Sequence, residues 1–178
     1  LPRGRHVLFT FRERAKRPRH DPSVKVRVAA LGQRMPEWVA AGFDEYAKRL
    51  PREWSFELVE IKPEPRDRGR TREQMLEAEG ARVATACAGY RIVALDERGA
   101  PWTTREFAAQ LARRQAGGDD VAFVIGSADG LSPGIKARAD AVVALSAMTL
   151  PHGLVRVLIA EQLYRAHSVL TGHPYHRE

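Results

Sequence analysis

Ser146–Glu178 reads SAMTLPHGLVRVLIAEQLYRAHSVLTGHPYHRE. Its first residues have short or unbranched side chains, Thr149 apart, and form a loop closed by Pro151. A helix is predicted over Gly153–Leu170, with Leu154, Val155, Val157, Leu158, Ile159, Leu163, Val169 and Leu170 spread around it. A helix without a clean polar face is buried in a core or in an oligomer interface. Chain ends usually fray into uninformative polar residues. This one ends in His173, Tyr175, His176 and Arg177, groups suited to a polyanionic or planar substrate.

Upstream of that stretch, strands and helices alternate. Ala141–Leu145 (AVVAL) reads as the strand feeding the loop. Val121–Ile125 (VAFVI) is continuously apolar, as at the centre of a parallel sheet. Arg91–Asp96 (RIVALD) is a short strand before a helix capped by Thr103 or Thr104, with Glu106 in its first turn. Val24–Leu31 and Trp54–Lys62 alternate apolar residues as strands do. Helices are expected after Pro36 and over Arg72–Ala88. The alternation predicts an α/β fold, a mostly parallel sheet with helices on both faces.

The 178 residues suffice for one domain with a real core, and 44% are hydrophobic. No apolar run approaches the length of a membrane span, so no membrane association is expected. The one cysteine, Cys87, excludes an internal disulfide and fits a reducing cytoplasm, the expected location. The net charge of +7 is unevenly spread. Residues 1–23 hold seven Lys/Arg against Glu13 and Asp21, so the remaining 155 residues are only slightly basic. Residues 1–23 read as a basic, disordered extension, although His6–Phe11 has the pattern of a short strand; residues 24–178 form the folded domain. Within that domain Arg66, Arg68, Arg70 and Arg72 alternate in a Pro-rich loop, either solvated or contacting phosphate.

In parallel sheets, ligands collect beyond the carboxyl ends of the strands. Three such ends are distinctive: Leu95-Asp96, Gly126-Ser127, and the loop Ser146, Ala147, Met148, Thr149, Leu150, Pro151. Gly126–Gly130 is neither a Walker loop nor GxGxxG, which removes the main support for ATP or dinucleotide binding. The Ser146–Pro151 loop has the small side chains needed to present backbone groups to a flat ligand such as adenine. Glu161 and Arg165, four apart on the last helix, can pair or orient a substrate. His173 and His176 alone are a weak zinc signal, and no metal is expected. Tyr175 stacking on a base, with Arg177 on an anion or carbonyl oxygen, is the better reading of the tail.

The stretches LGQRMPEWVAAGFDEY, FELVEI, RIVALD, VIGSADGLSP, LSAMTLPHGLVRVLIAEQLYRA and HPYHRE make Val24–Glu178 resemble one family. It is that of the bacterial 23S ribosomal RNA pseudouridine-N3 methyltransferases, in the knotted SPOUT class. The resemblance implies a C-terminal trefoil knot, which sequence physics alone would argue against. It implies S-adenosylmethionine as cofactor, held by Leu95, Gly126, Ser127 and Ser146–Pro151. The family usually has a second glycine where this chain has Ser127. A homodimer is implied, acting on 23S rRNA in the assembled ribosome, with the tail completing the site. His173, His176 and Arg177 are then the catalytic candidates; Arg165, Tyr175 and Arg177 are the RNA contacts. Two rivals are a non-catalytic ribosome- or RNA-binding protein of the same fold and an α/β nucleotide hydrolase.

Overall fold

A computed structural model describes residues 24–66 and 69–176. The expected extension over residues 1–23, Arg68 and Arg177 lie outside the described residues. In chain order the elements are β1 (Val26–Leu31), α1 (Glu37–Ala47), β2 (Glu57–Ile61), α2 (Arg72–Ala86), β3 (Arg91–Pro101) and α3 (Thr104–Gly117). They continue with β4 (Val121–Ile125), α4 (Pro133–Arg138), β5 (Ala141–Ala144) and α5 (His152–Thr171). The five strands form one sheet in the order β2-β1-β4-β3-β5, and every pairing is parallel.

β4 sits at the centre, and all five of its residues are buried. That is why VAFVI has no polar alternation: both faces of the strand are covered by helices. One face carries α1, α3 and α5, through Phe43, Phe107, Leu111, Ile159, Ala160 and Leu163. The opposite face carries α2 and α4, through Val83, Cys87 and Ile135. Burial pushes the Cys87 thiol up to about 11, so it stays protonated and unreactive near neutral pH.

Local signals start the helices where the sequence places them. Thr71 and Gln74 make a reciprocal capping box on α2, and Thr103 and Glu106 make another on α3. Ser132 caps α4, with Pro133 in its first turn. Two strands differ from the sequence reading. Arg52–Trp54 forms a 3-10 turn because Trp54 turns into the core against His167, 5.4 Å between ring centres, and β2 begins only at Glu57. β3 continues beyond Asp96, because its register on β5 slips after Leu95 and resumes at Ala100, both residues pairing with Val143.

Candidate methyl-donor site and C-terminal tail

Because β4, β3 and β5 are adjacent and parallel, their carboxyl ends share one edge. Leu95 pairs with Ile125 on one side and Val143 on the other. At about 4.8 Å between strands, Leu95, where the β3 register slips, and the loop starts at Gly126 and Ser146 therefore lie roughly 10 Å apart across the sheet. The structure thus brings together the three segments that the sequence singled out.

Gly126 opens a tight turn. A Cβ there would lie 2.5 Å from the backbone carbon of Gly130, so no larger residue fits without moving the turn. The turn closes by a Gly130 N–H to Ser127 carbonyl bond of 2.9 Å. The Ser127 hydroxyl donates to Glu79 Oε2 at 2.7 Å, so this side chain is held toward α2. Glu79 is buried and also accepts the Glu64 amide at 2.9 Å. Asp129, in the same turn, pairs with Arg66 and accepts Arg72 Nη2 on its carbonyl at 2.9 Å. Arg70 and Arg82 both pair with Glu64. The arginine-rich loop is therefore a clamp on the Gly126–Leu131 turn, its described guanidiniums held by carboxylates of the chain.

The Ser146–Pro151 loop is open. Ala147, Met148 and Thr149 are exposed, Met148 by 76%. The Met148 amide donates to Ser146 Oγ at 2.9 Å and Thr149 Oγ1 donates to Glu97 at 2.7 Å. Among the described residues, no backbone–backbone hydrogen bond involves Ala147, Thr149 or Leu150. Their amides and carbonyls remain available, which fits the flat, polar-edged rim of an adenine. Nearby, burial would raise Asp96, but the Arg98 amide and the Lys136 ammonium outweigh it and hold the carboxyl below its ordinary value. The α2–α4 face carries a separate groove of about 570 Å³, lined by Leu76, Gly80, Ala84 and Ile135 among others. None of the three strand-end segments lines it.

Two residues that sequence reasoning passed over brace this edge. Arg156 is 1% exposed, in an otherwise apolar stretch of α5. Its Nη2 donates to the Gly32 carbonyl at 2.8 Å, its Nη1 pairs with Glu60 at 2.5 Å, and its Nε donates to His152 Nε2 at 3.0 Å. His152 Nδ1 lies 2.9 Å from the Gly126 carbonyl. A carbonyl only accepts, so Nδ1 carries the proton and Nε2 offers its lone pair to Arg156. Burial first, then the Arg156 charge, lowers the His152 pKa, in agreement with that neutral tautomer. The signal was available: a lone arginine among Leu154, Val155, Val157, Leu158 and Ile159 must be buried with partners.

At the other end of α5 the tail folds back on its own helix. The His173 amide donates to the Ser168 carbonyl at 2.9 Å, reversing the chain after Gly172. Tyr175 packs 4.7 Å from the Tyr164 ring centre, Arg165 lies 4.8 Å over the Tyr175 ring, and the Tyr175 hydroxyl donates to Glu161 at 3.1 Å. Arg165 Nε donates to the same Glu161 oxygen at 2.8 Å, the pairing that the four-residue spacing predicted. Burial, followed by Tyr46 and Glu161, pushes the Tyr175 phenol up to about 12. His173 Nδ1 accepts the Tyr175 amide at 3.2 Å. His176 Nδ1 is enclosed and has no hydrogen-bond partner among the described residues. Among those residues, no group of three or more His, Cys, Asp or Glu is placed to hold a metal. Nor is any helix there long and apolar enough to cross a membrane.

The chain belongs to the SPOUT methyltransferase family, whose model, described as a predicted SPOUT methyltransferase, matches residues 24–176. It is an S-adenosylmethionine-dependent methyltransferase with the parallel sheet and flanking helices of that class, for which a C-terminal knot is typical. It is 58% identical over 155 residues to the ribosomal RNA large subunit methyltransferase H of Nitrosospira multiformis, spanning 86% of this chain and 99% of that one. It is 57% identical, with the same coverage, to the protein of that name from Burkholderia multivorans. A probable methyltransferase from Bordetella pertussis shares the fold, with a TM-score of 0.55 at 20% identity over 82% of this chain and 97% of that one.

Proposed function

We propose that this chain, as a homodimer, transfers a methyl group from S-adenosylmethionine to N3 of a pseudouridine in 23S rRNA of the large ribosomal subunit. The observation that carries this reading is the 58% identity over 155 residues, 99% of the relative's length, to a ribosomal RNA large subunit methyltransferase H. When bound, the donor supplies an electrophilic methyl on a sulfonium. Leu95, the Gly126-Ser127 turn and the loop Ser146–Pro151 would hold it. The protein's main task is then alignment, which is worth roughly 7–11 kcal/mol in a near-attack geometry. The N3–H proton must also leave, and a general base adds about 10²–10⁴-fold.

The dimer reading is supported by the length of α5. Its 20 residues, at about 1.5 Å each, separate the donor loop from Gly172 by roughly 30 Å. The tail folds back only as far as Glu161 and Tyr164, about 14 Å or more along the axis from His152. A tail that completes a donor site therefore serves the site of a second protomer. Leu154 and Leu158, one turn apart on α5, are half-buried and belong to neither core cluster, as residues awaiting a partner would be.

Of the two tail histidines, His176 is the better base. His173 Nδ1 is occupied by the Tyr175 amide, so its neutral ring bears the proton on Nε2 and has no free lone pair. His176 Nδ1 is enclosed without a partner among the described residues, an arrangement costing about 1–3 kcal/mol unless substrate or the second protomer supplies one. Arg165, lying 4.8 Å over the Tyr175 ring, and Tyr175 itself are assigned to RNA contact, and Arg177 to developing negative charge on the neighbouring carbonyl oxygens. The folded domain's small net charge favours an assembled ribosomal subunit over free RNA, since shape must replace bulk electrostatics.

The test uses purified protein, isotopically labelled S-adenosylmethionine and large subunits from a strain lacking the gene, followed by mass mapping of the rRNA. One label on N3 of a pseudouridine is expected. Label on another nucleotide, or none, overturns the reading.

A further inference from the structure

The Gly126 carbonyl, at the head of the turn assigned to the donor, receives its hydrogen bond from His152 rather than from the sheet. Behind it, Arg156 connects His152 to the Gly32 carbonyl that ends β1 and to Glu60 of β2. Three adjacent strand ends, β2, β1 and β4, are thus tied through two side chains of one helix, and that helix begins where the donor loop stops. Gly32 makes room for the device: its φ of +149° favours glycine, and a Cβ there would meet Arg156 Nη2 at 3.1 Å and His152 Nε2 at 3.2 Å. The Arg156 guanidinium at the centre of this set is buried, and only the Glu60 carboxylate at its far end is exposed. The set's contacts end on backbone carbonyls and on one carboxylate.

We propose that His152 and Arg156 are positioning residues for methyl-donor binding, fixing the Gly126 turn relative to the Ser146–Pro151 loop through α5. The turn and the loop come from different strands, and their spacing must match a rigid ligand that both sides grip. His152 is joined to the turn by its ring and to the loop by its own backbone, one residue after Pro151. Donor affinity therefore depends on a hydrogen bond that the donor never touches. This inference rests on the donor lying at Gly126 and Ser146–Pro151.

The groups facing the His152 ring set its proton response. α5 contributes the Arg156 guanidinium, β2 the Glu60 carboxylate acting through Arg156, and β1 and β4 the Gly32 and Gly126 carbonyls. A second proton on Nε2 would face Arg156 Nε and break that bond. Donor affinity should thus hold at and above neutrality and decline on the acid side.

The experiment is calorimetric titration of S-adenosylmethionine, with no RNA present, into wild type, His152→Leu, His152→Asn and Ala147→Trp, each with a melting curve. Asn keeps an N–H near the Nδ1 position but has no ring nitrogen to protonate. His152→Leu leaves the Gly126 carbonyl and Arg156 Nε unpaired and should weaken donor binding about tenfold or more. His152→Asn should recover most of that loss, and its affinity should stay level from pH 8 to 5 where wild type declines. A folded His152→Leu that binds the donor like wild type overturns the proposal. If the Leu variant does not fold, an Asn variant with the wild-type acid-side decline overturns it instead. Ala147→Trp separates the two levels: if it too binds normally, the donor-site reading has failed, whereas lost binding there beside normal binding in His152→Leu sinks only the positioning role.

Discussion

Replacing Arg156 by Met measures what the buried cation contributes to the fold. Met retains much of the stem, so packing is largely kept and the loss is polar. Three bonds disappear, but they are unequal. The Glu60 side chain is 40% exposed and rehydrates once its partner goes, so that ion pair contributes little. The Gly32 carbonyl and His152 Nε2 are different, because the space around them is filled by protein. Leaving a buried acceptor unpaired costs about 1–3 kcal/mol, so two of them give roughly 3 kcal/mol after some relaxation. For a domain of this size each kcal/mol moves the melting temperature by about 2–4 °C, giving a fall of about 6–12 °C. Calorimetry at fixed protein concentration reads it, since a dimer's melting temperature depends on concentration. Glu60→Gln is the control and should shift by less than about 3 °C. If Arg156→Met melts within about 2 °C of wild type, water satisfies both acceptors and the brace adds nothing to stability.

Neutral His152 is favoured in the fold, so its folded pKa lies below its unfolded value and the unfolded chain binds more protons between the two. The stabilisation is complete above about pH 6.5 and shrinks as pH falls toward the folded pKa; urea midpoints should show a wild-type loss that His152→Asn lacks. Ala147→Trp, in the exposed donor loop, should abolish donor binding by calorimetry while melting near wild type, and unchanged affinity removes this loop as the site. Leu158→Glu places a charge on the half-buried outer face of α5, where a dimer would enclose it at a cost of several kcal/mol. Light scattering should find monomer, and a native-like dimer refutes that interface. Deleting Tyr175–Glu178 should leave donor affinity within a few-fold yet end methylation of large subunits; normal methylation would make the tail merely structural.

The sheet was legible because its signals are local. VAFVI is buried on both sides and reads so, and the two capping boxes need only residues three apart. The gathering of the three strand-end segments was legible because parallel strands in one sheet must put their carboxyl ends on one edge, whatever their order. β3 beyond Asp96 was not legible. Its continuation depends on a register slip against β5, a strand some forty residues later, and Asp96-Glu-Arg-Gly99 reads locally as a turn. Trp54 misled in the same way: it looks like the first residue of a strand, but its partner is His167 on α5.

The charged residues show the limit of composition most clearly. Arg66, Arg70 and Arg72 read as a basic stripe for phosphate because their partners, Glu64 and Asp129, are far apart in sequence or look like ordinary loop acids. Folding places Glu64 against α2 and Asp129 in the Gly126 turn, so the stripe closes onto that turn at the sheet's carboxyl edge. The reverse holds for Arg156, hidden in an apolar run with no visible counter-charge until the fold brings Glu60 to it. Asp129 and Glu60 reach their arginines from other segments of the sheet's carboxyl edge, while Glu64 comes from the same loop as Arg70. The arginines that looked like an RNA stripe are thus committed to holding that edge in shape, and the proposed RNA contacts are left to the tail, where the truncation tests them.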